Sequence, residues 1–176
     1  NCIVRRLDVT DREDYKAAIA AFAAATDGKM DMLYNNAGIG RGGPFADQPF
    51  EDVLAVVQVN FIGVLIGIHL SVPLLKATPG SMCFTTSSSS ATFGMPGIAV
   101  YSATKHAVKG LTEALSIEFK AYGIRVADVL PGLIDTLSMV KTCGPAKKSS
   151  ALIWSLFGTI TALISFISIH LLHNGS

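Results

Sequence analysis

Four short runs rich in aliphatic and β-branched residues alternate with segments of helical spacing, and this alternation leaves the chain few folds to choose from. The runs cover residues 3–7, 32–34, 81–86 and 124–130. After the first, Thr10 begins a helix with Glu13 three residues on, the spacing of a capping box. Tyr15, Ile19 and Phe22 then recur on one face, and Asp27-Gly28 closes the segment. Further helix patterns cover 51–76 and 101–122, the second stopped by Gly123. Each return to a parallel strand needs a crossover, so strand–helix–strand units predict an α/β fold around a parallel, doubly wound sheet.

In such sheets ligands gather beyond the carboxyl ends of the strands. Here those ends carry Asn35-Asn36-Ala37-Gly38, four consecutive serines at 87–90, and the segment from Pro131-Gly132 to Thr136. Tyr101 and Lys105 follow, four residues apart, and on a helix they share a face. A cation fixed beside a phenol favours the phenolate and lowers its pKa. A tyrosine tuned in this way passes a proton near neutral pH.

Composition removes other classes. Half of the 176 residues are apolar and the formal net charge is +1. No basic run is interleaved with aromatics, which argues against a nucleic-acid partner. Cys2, Cys83 and Cys143 lie far apart with no metal-ligand spacing, so no metal site is expected. An odd, sparse cysteine count suits a reducing compartment, the cytoplasm. His69 and His106 read as packing or surface residues. The 51–76 pattern is strongly apolar, but Gln58, Asn60 and His69 interrupt it, so it reads as a core helix rather than a membrane span.

In order along the chain stand Asp8-Val9, Asn35-Asn36-Ala37-Gly38, Asn60 within Val59-Asn60-Phe61, Ser88, Tyr-Ser-Ala-Thr-Lys at 101–105, and Pro131-Gly132 followed by Thr136. In these motifs the chain resembles the short-chain dehydrogenase/reductase family, single-domain enzymes with a Rossmann-like fold, over residues 7–136. The resemblance implies a hydride transfer between NAD or NADP and a hydroxyl or ketone group of a small substrate. It implies Tyr101 as acid/base, Ser88 as hydrogen-bond donor to the substrate oxygen, and Lys105 as partner of both the phenol and the nicotinamide ribose. It implies that Asn60 sits in a distorted part of its helix and extends a proton relay to Lys105. For the cofactor it implies Asp8 and Val9 at the adenine and Asn35, Ala37 and Gly38 at its ribose. Tyr101, Lys105, Pro131, Gly132, Ile134 and Thr136 would lie at the nicotinamide. It also implies a homodimer or homotetramer formed through the two long helices.

Two segments depart from that pattern. The family's Thr-Gly-x-x-x-Gly-x-Gly loop, which receives the pyrophosphate at a helix N-terminus, does not occur in the chain. The expectation is a domain truncated before its third strand, binding either cofactor poorly by itself. Beyond 1–149, residues 150–176 form a hydrophobic tail, expected as a helix. Residues 151–172 are long enough to span a bilayer, with Lys141, Lys147 and Lys148 before them and no Lys or Arg after, which would hold the domain on the cytoplasmic side. A membrane anchor, a buried divergent ending and an aberrant ending all fit this composition. A nicotinamide-dependent epimerase or lyase of the wider family, and a non-catalytic remnant, stand beside the oxidoreductase reading. Phe93, Met95 and Ile98 suit a non-polar substrate and core packing equally.

Overall fold

The computed structural model describes residues 2–132. Within them three strands pair in parallel in the order β1 (Met32–Asn35), β2 (Met82–Thr86), β3 (Arg125–Val129). The register places Leu33 beside Cys83 and Cys83 beside Val126. Helix α1 (Arg12–Ala25) precedes β1. Helices α2 (Phe50–Val57) and α3 (Gly63–Lys76) lead from β1 to β2, and α4 (Ala99–Glu118) leads from β2 to β3. Each step moves one strand in the same direction, and crossovers of one hand then leave their helices on one face. The core lies there. Leu33 and Cys83 meet Val64, Ile68, Leu74 and Leu75 of α3 and Val108 of α4, with Ile19 and Phe22 of α1 packed alongside. Leu75 is fully buried, a burial that contributes about 1.5–3 kcal/mol.

The three later strands lie within a residue of their expected positions. The run at 3–7 does not form a strand. Ile3 and Val4 are exposed, and no ladder joins this run to the sheet. Between it and β1 lies a cavity of about 610 Å³ lined by Ile3, Leu7, Val9, Met32 and Tyr34. A strand requires a hydrogen-bonded neighbour, and β-propensity without one leaves only extended chain.

Helix α1 is also capped one residue later than its sequence suggests. Asp11 is the N-cap, its side chain accepting from the Glu13 and Asp14 amides. Thr10 is occupied elsewhere, donating its amide and hydroxyl to Asp8 Oδ1 at 2.9 and 2.7 Å. A carboxylate with both amides in reach caps without help from the threonine.

The 51–76 pattern is one helical column with a defect. A π-helical segment, Gln58–Ile62, separates α2 from α3. The column is long and apolar enough to cross a membrane, but Val64, Ile68, Leu74 and Leu75 belong to the core. Helix α4 runs on through a 3₁₀ turn, Phe119–Tyr122, to Gly123, whose φ of 70° ends it in the left-handed region that glycine enters freely. The expected tail at 150–176 lies outside the described residues.

Candidate active site

Beyond Thr86, the last residue of β2, the chain stays extended through Ser88, which caps a 3₁₀ turn at Ser89–Ala91. Ser88 Oγ accepts from the Ser90 amide at 3.1 Å, leaving its own hydrogen for another acceptor. The neighbouring amides fasten this loop to the end of β3. Ser87 N donates to Val129 O at 2.8 Å, and Ser89 N donates to Pro131 O at 2.9 Å. Pro131 and Gly132 are thereby held beside the serines.

Helix α4 brings Tyr101 and Lys105 to the same place. Lys105 is only 4% exposed, although it is a lysine. Its Nζ donates to the Thr86 carbonyl at 2.8 Å and stands 5.6 Å from the centre of the Tyr101 ring. Ser87 Oγ donates to the Lys105 carbonyl at 3.3 Å, tying this turn of α4 to the serine loop. Burial pushes the Lys105 ammonium down to about 8. Burial also pushes the Tyr101 phenol up, against the pull of the adjacent Ser88 hydroxyl. The expected depression of Tyr101 by Lys105 is therefore not what this arrangement produces. Both groups lose water, and loss of water favours the neutral form of each.

Asn60 lies within the π-helical segment, as the resemblance implies, and is 1% exposed. Its Oδ1 accepts from Ile39 N at 2.8 Å, and its Nδ2 donates to Ile39 O at 2.9 Å. The side chain thus pairs with the backbone as a strand would, pinning the loop that follows Gly38. Nδ2 also reaches Thr104 Oγ1 at 3.4 Å, and Thr104 Oγ1 donates to the Tyr101 carbonyl at 2.7 Å. The π segment, the 38–39 loop and α4 therefore share one buried polar cluster. Gly38 faces it: a Cβ there would stand 3.5 Å from Asn60 Oδ1 and 3.8 Å from Lys105 Nζ.

Asn35 is placed beneath the cluster. Its Nδ2 reaches Thr85 Oγ1 at 3.4 Å, so it braces β1 against β2. His69 and His106 are both exposed, and His106 Nδ1 lies 2.8 Å from the Ser102 carbonyl, away from the cluster. Among the described residues no three His, Cys, Asp or Glu side chains gather as a metal site would require.

The short chain dehydrogenase family model matches residues 1–147. The chain belongs to the short-chain dehydrogenase/reductase family. It is 36% identical over 132 residues to cyclohexanol dehydrogenase of Acinetobacter sp. strain SE19, covering 74% of this chain and 52% of that one. It is also 36% identical over 130 residues to trans-4-hydroxycyclohexanecarboxylate dehydrogenase of Sinomonas cyclohexanicum, covering 74% and 49%. Among solved structures, gluconate 5-dehydrogenase of Burkholderia cenocepacia J2315, in complex with NADP and tartrate, superposes with a TM-score of 0.74 at 31% identity. That match covers 80% of this chain and 55% of the other. The NADH-dependent reductase A1-R', complexed with NAD, gives 0.67 at 26% identity, covering 74% and 57%. The chain spans about half the length of the curated relatives it matches. The family's cofactor is NAD or NADP.

Within this dehydrogenase fold the remaining motif residues occupy two further places. Asp8 is exposed at the start of α1, where hydrogens from Thr10 hold its carboxyl below the ordinary value. Val9 packs on Gly63, where a Cβ would meet Val9 Cγ2 at 3.0 Å, so it reaches the column that carries Asn60. Ala37 and Gly38 are exposed beyond β1. Ile134 and Thr136 lie outside the described residues. Motif reading gave no role to Ile39, Thr86, Ser87 and Thr104, which hold the named residues by backbone or hydroxyl contacts. Ser87 and Thr104 were legible only as members of the serine run and of the 101–105 motif.

Proposed function

We propose that this chain carries the proton-transfer side of an NAD(P)-dependent oxidoreductase that interconverts a ring-borne secondary alcohol and its ketone. The observation that carries the reading is the cluster at the end of β2. Ser88, whose hydroxyl bonds toward the Tyr101 phenol, lies beside it, and the Lys105 ammonium lies one helical turn beyond.

In the reducing direction Tyr101 Oη gives its proton to the substrate carbonyl oxygen. Ser88 Oγ donates a hydrogen bond to the same oxygen and stabilises its developing negative charge. In the oxidising direction the phenolate takes the hydroxyl proton. Burial disfavours the phenolate formed in the first case and required in the second, and the Lys105 ammonium offsets part of that cost. When bound, the nicotinamide supplies or accepts the hydride. Tyr101, Lys105, Pro131, Gly132, Ile134 and Thr136 would hold its nicotinamide end. Asp8, Val9, Asn35, Ala37 and Gly38 would hold the adenosine end. Gly38 supports this fit, because a side chain there would project toward Lys105. Asn60 would act through Ile39 and Thr104, since those groups already engage its amide.

The substrate class follows the two curated relatives, whose names place the hydroxyl on a cyclohexane ring. Phe93, 58% exposed on the loop after Ser88, offers apolar surface for such a ring. The exposed apolar residues Phe50 and Leu54 of α2 and Ile117 of α4 support self-association through these helices.

The test is oxidation of cyclohexanol by the purified chain at millimolar NAD or NADP, followed by nicotinamide absorbance. Tyr101→Phe is expected to lower the rate by about 10²–10⁴-fold. An unchanged rate in the variant, or no turnover of cyclic alcohols by the parent chain, overturns the reading.

A further inference from the structure

The ladder between β1 and β2 ends at the Asn35–Thr85 pair. One residue further, Asn36 and Thr86 are joined by side chains. Thr86 Oγ1 donates to Asn36 Oδ1 at 2.8 Å, and Tyr34 Oη donates to the same oxygen at 3.1 Å. The two hydroxyl oxygens are 2.8 Å apart. Three residues thus close a triangle of polar atoms. Tyr34 follows Leu33 in β1, so it points to the sheet face away from the helices. Its ring packs on Phe84 with centroids 5.4 Å apart. A phenylalanine would pack there equally well, so the hydroxyl serves the triangle rather than the packing.

The triangle adjoins the Lys105 seat through Thr86. The Thr86 carbonyl accepts the Lys105 ammonium, its one hydrogen-bond partner among the described residues. Asn36 leads within two residues to Gly38, the backbone beside that ammonium. We propose that Tyr34 is a positioning residue for Lys105: its hydroxyl, through Asn36 and Thr86, holds the carbonyl that receives the ammonium. The importance of Lys105 for turnover rests on the dehydrogenase reading, whereas the placement of its side chain does not. A simple cross-strand contact would stabilise the sheet without governing Lys105.

Competitive acetylation with acetic anhydride at neutral pH separates the two roles, because only the neutral, accessible amine reacts. Mass spectrometry of the Lys105 peptide gives its rate relative to the surface Lys16. In Tyr34→Phe and Thr86→Val the ammonium loses a fixed acceptor, so Lys105 is expected to label about threefold faster or more, the size of a lost neutral hydrogen bond. Thr86→Ser, which keeps the hydroxyl, is expected to label as the parent does. Circular dichroism and the thermal transition identify which variants are folded. Parent-like labelling in the folded Tyr34→Phe or Thr86→Val chain overturns the proposal, as does fast labelling in Thr86→Ser. Since labelling uses neither cofactor nor substrate, this outcome is independent of whether the chain oxidises an alcohol.

Discussion

The carboxyl end of β2 and the outer edge of β1 belong to one sheet, yet they hold their motif residues in opposite ways. At the end of β2, Asn60, Ser88, Thr104 and Lys105 are all buried, and each has a hydrogen-bond partner from another element or an adjoining turn. At the outer edge, Asp8 is exposed and bonds only within its own neighbourhood, and residues 3–7 have no ladder. A buried polar group must be paired, and pairing fixes its position. An exposed one is satisfied by water in many positions. The cluster around Ser88, Tyr101 and Lys105 is therefore organised by buried, paired groups, while the segment beside the β1 cavity is held by exposed, local bonds.

Two glycines on one face of α3 test this contrast directly. A Cβ on Gly67 would meet Tyr15 Oη at 2.4 Å and Asn35 Oδ1 at 2.7 Å, both on packed elements. Gly67→Ala is expected to destabilise the chain by about 1–3 kcal/mol, because neither neighbour can withdraw. Urea denaturation measures the loss, and a parent-like midpoint would show that the α1–α3–β1 contact is looser than described.

The next largest effect is pH dependence arising from the buried cluster. The folded value for Lys105, about 8, lies below its ordinary 10.5. Between the two the unfolded chain binds more protons, so this group makes stability rise with pH from about 8. Cys83 and Tyr15 oppose it, since burial raises their folded values to about 12 from 9.0 and 10.0. Their contribution to stability falls as pH rises above those ordinary values. Urea midpoints are therefore expected to rise from pH 8 to 9 and turn over above 9, with a slope of at most about 1.4 kcal/mol per pH unit. Lys105→Met is expected to remove the rise. A rise that survives in that variant would assign it to another group.

The smallest effect is expected at the loose edge. A Cβ on Gly63 would press on Val9 Cγ2 at 3.0 Å, but Val9 belongs to a segment without ladder bonds. Gly63→Ala is expected to cost about 1 kcal/mol or less, because Val9 can shift. A loss as large as that at Gly67 would show the edge to be as firmly packed as the centre.

Much of this arrangement was readable before folding. Short aliphatic and β-branched runs located β1, β2 and β3, and helical spacing located the helices, because both report surface that must be buried. The polar stretches at 35–38 and 87–90 marked the strand ends where the site assembles. The strand expected at 3–7 fails because its β-like pattern says nothing of a neighbour. The Thr10 cap fails because Asp11 competes one residue away. Ile39 and the Thr86 carbonyl escaped notice because a backbone carbonyl or amide carries no side-chain signature.

By itself, then, the sequence determined the α/β alternation, the Ser88–Tyr101–Lys105 spacing and the family. These depend on local period and on residue type. Only the tertiary structure decided that Asn60 clasps Ile39 across 21 positions and that Lys105 is seated on Thr86 across 19. It also decided that burial outweighs the Ser88 hydroxyl at Tyr101. Those outcomes depend on which groups lose water together, and that is set by packing between elements rather than by any one segment.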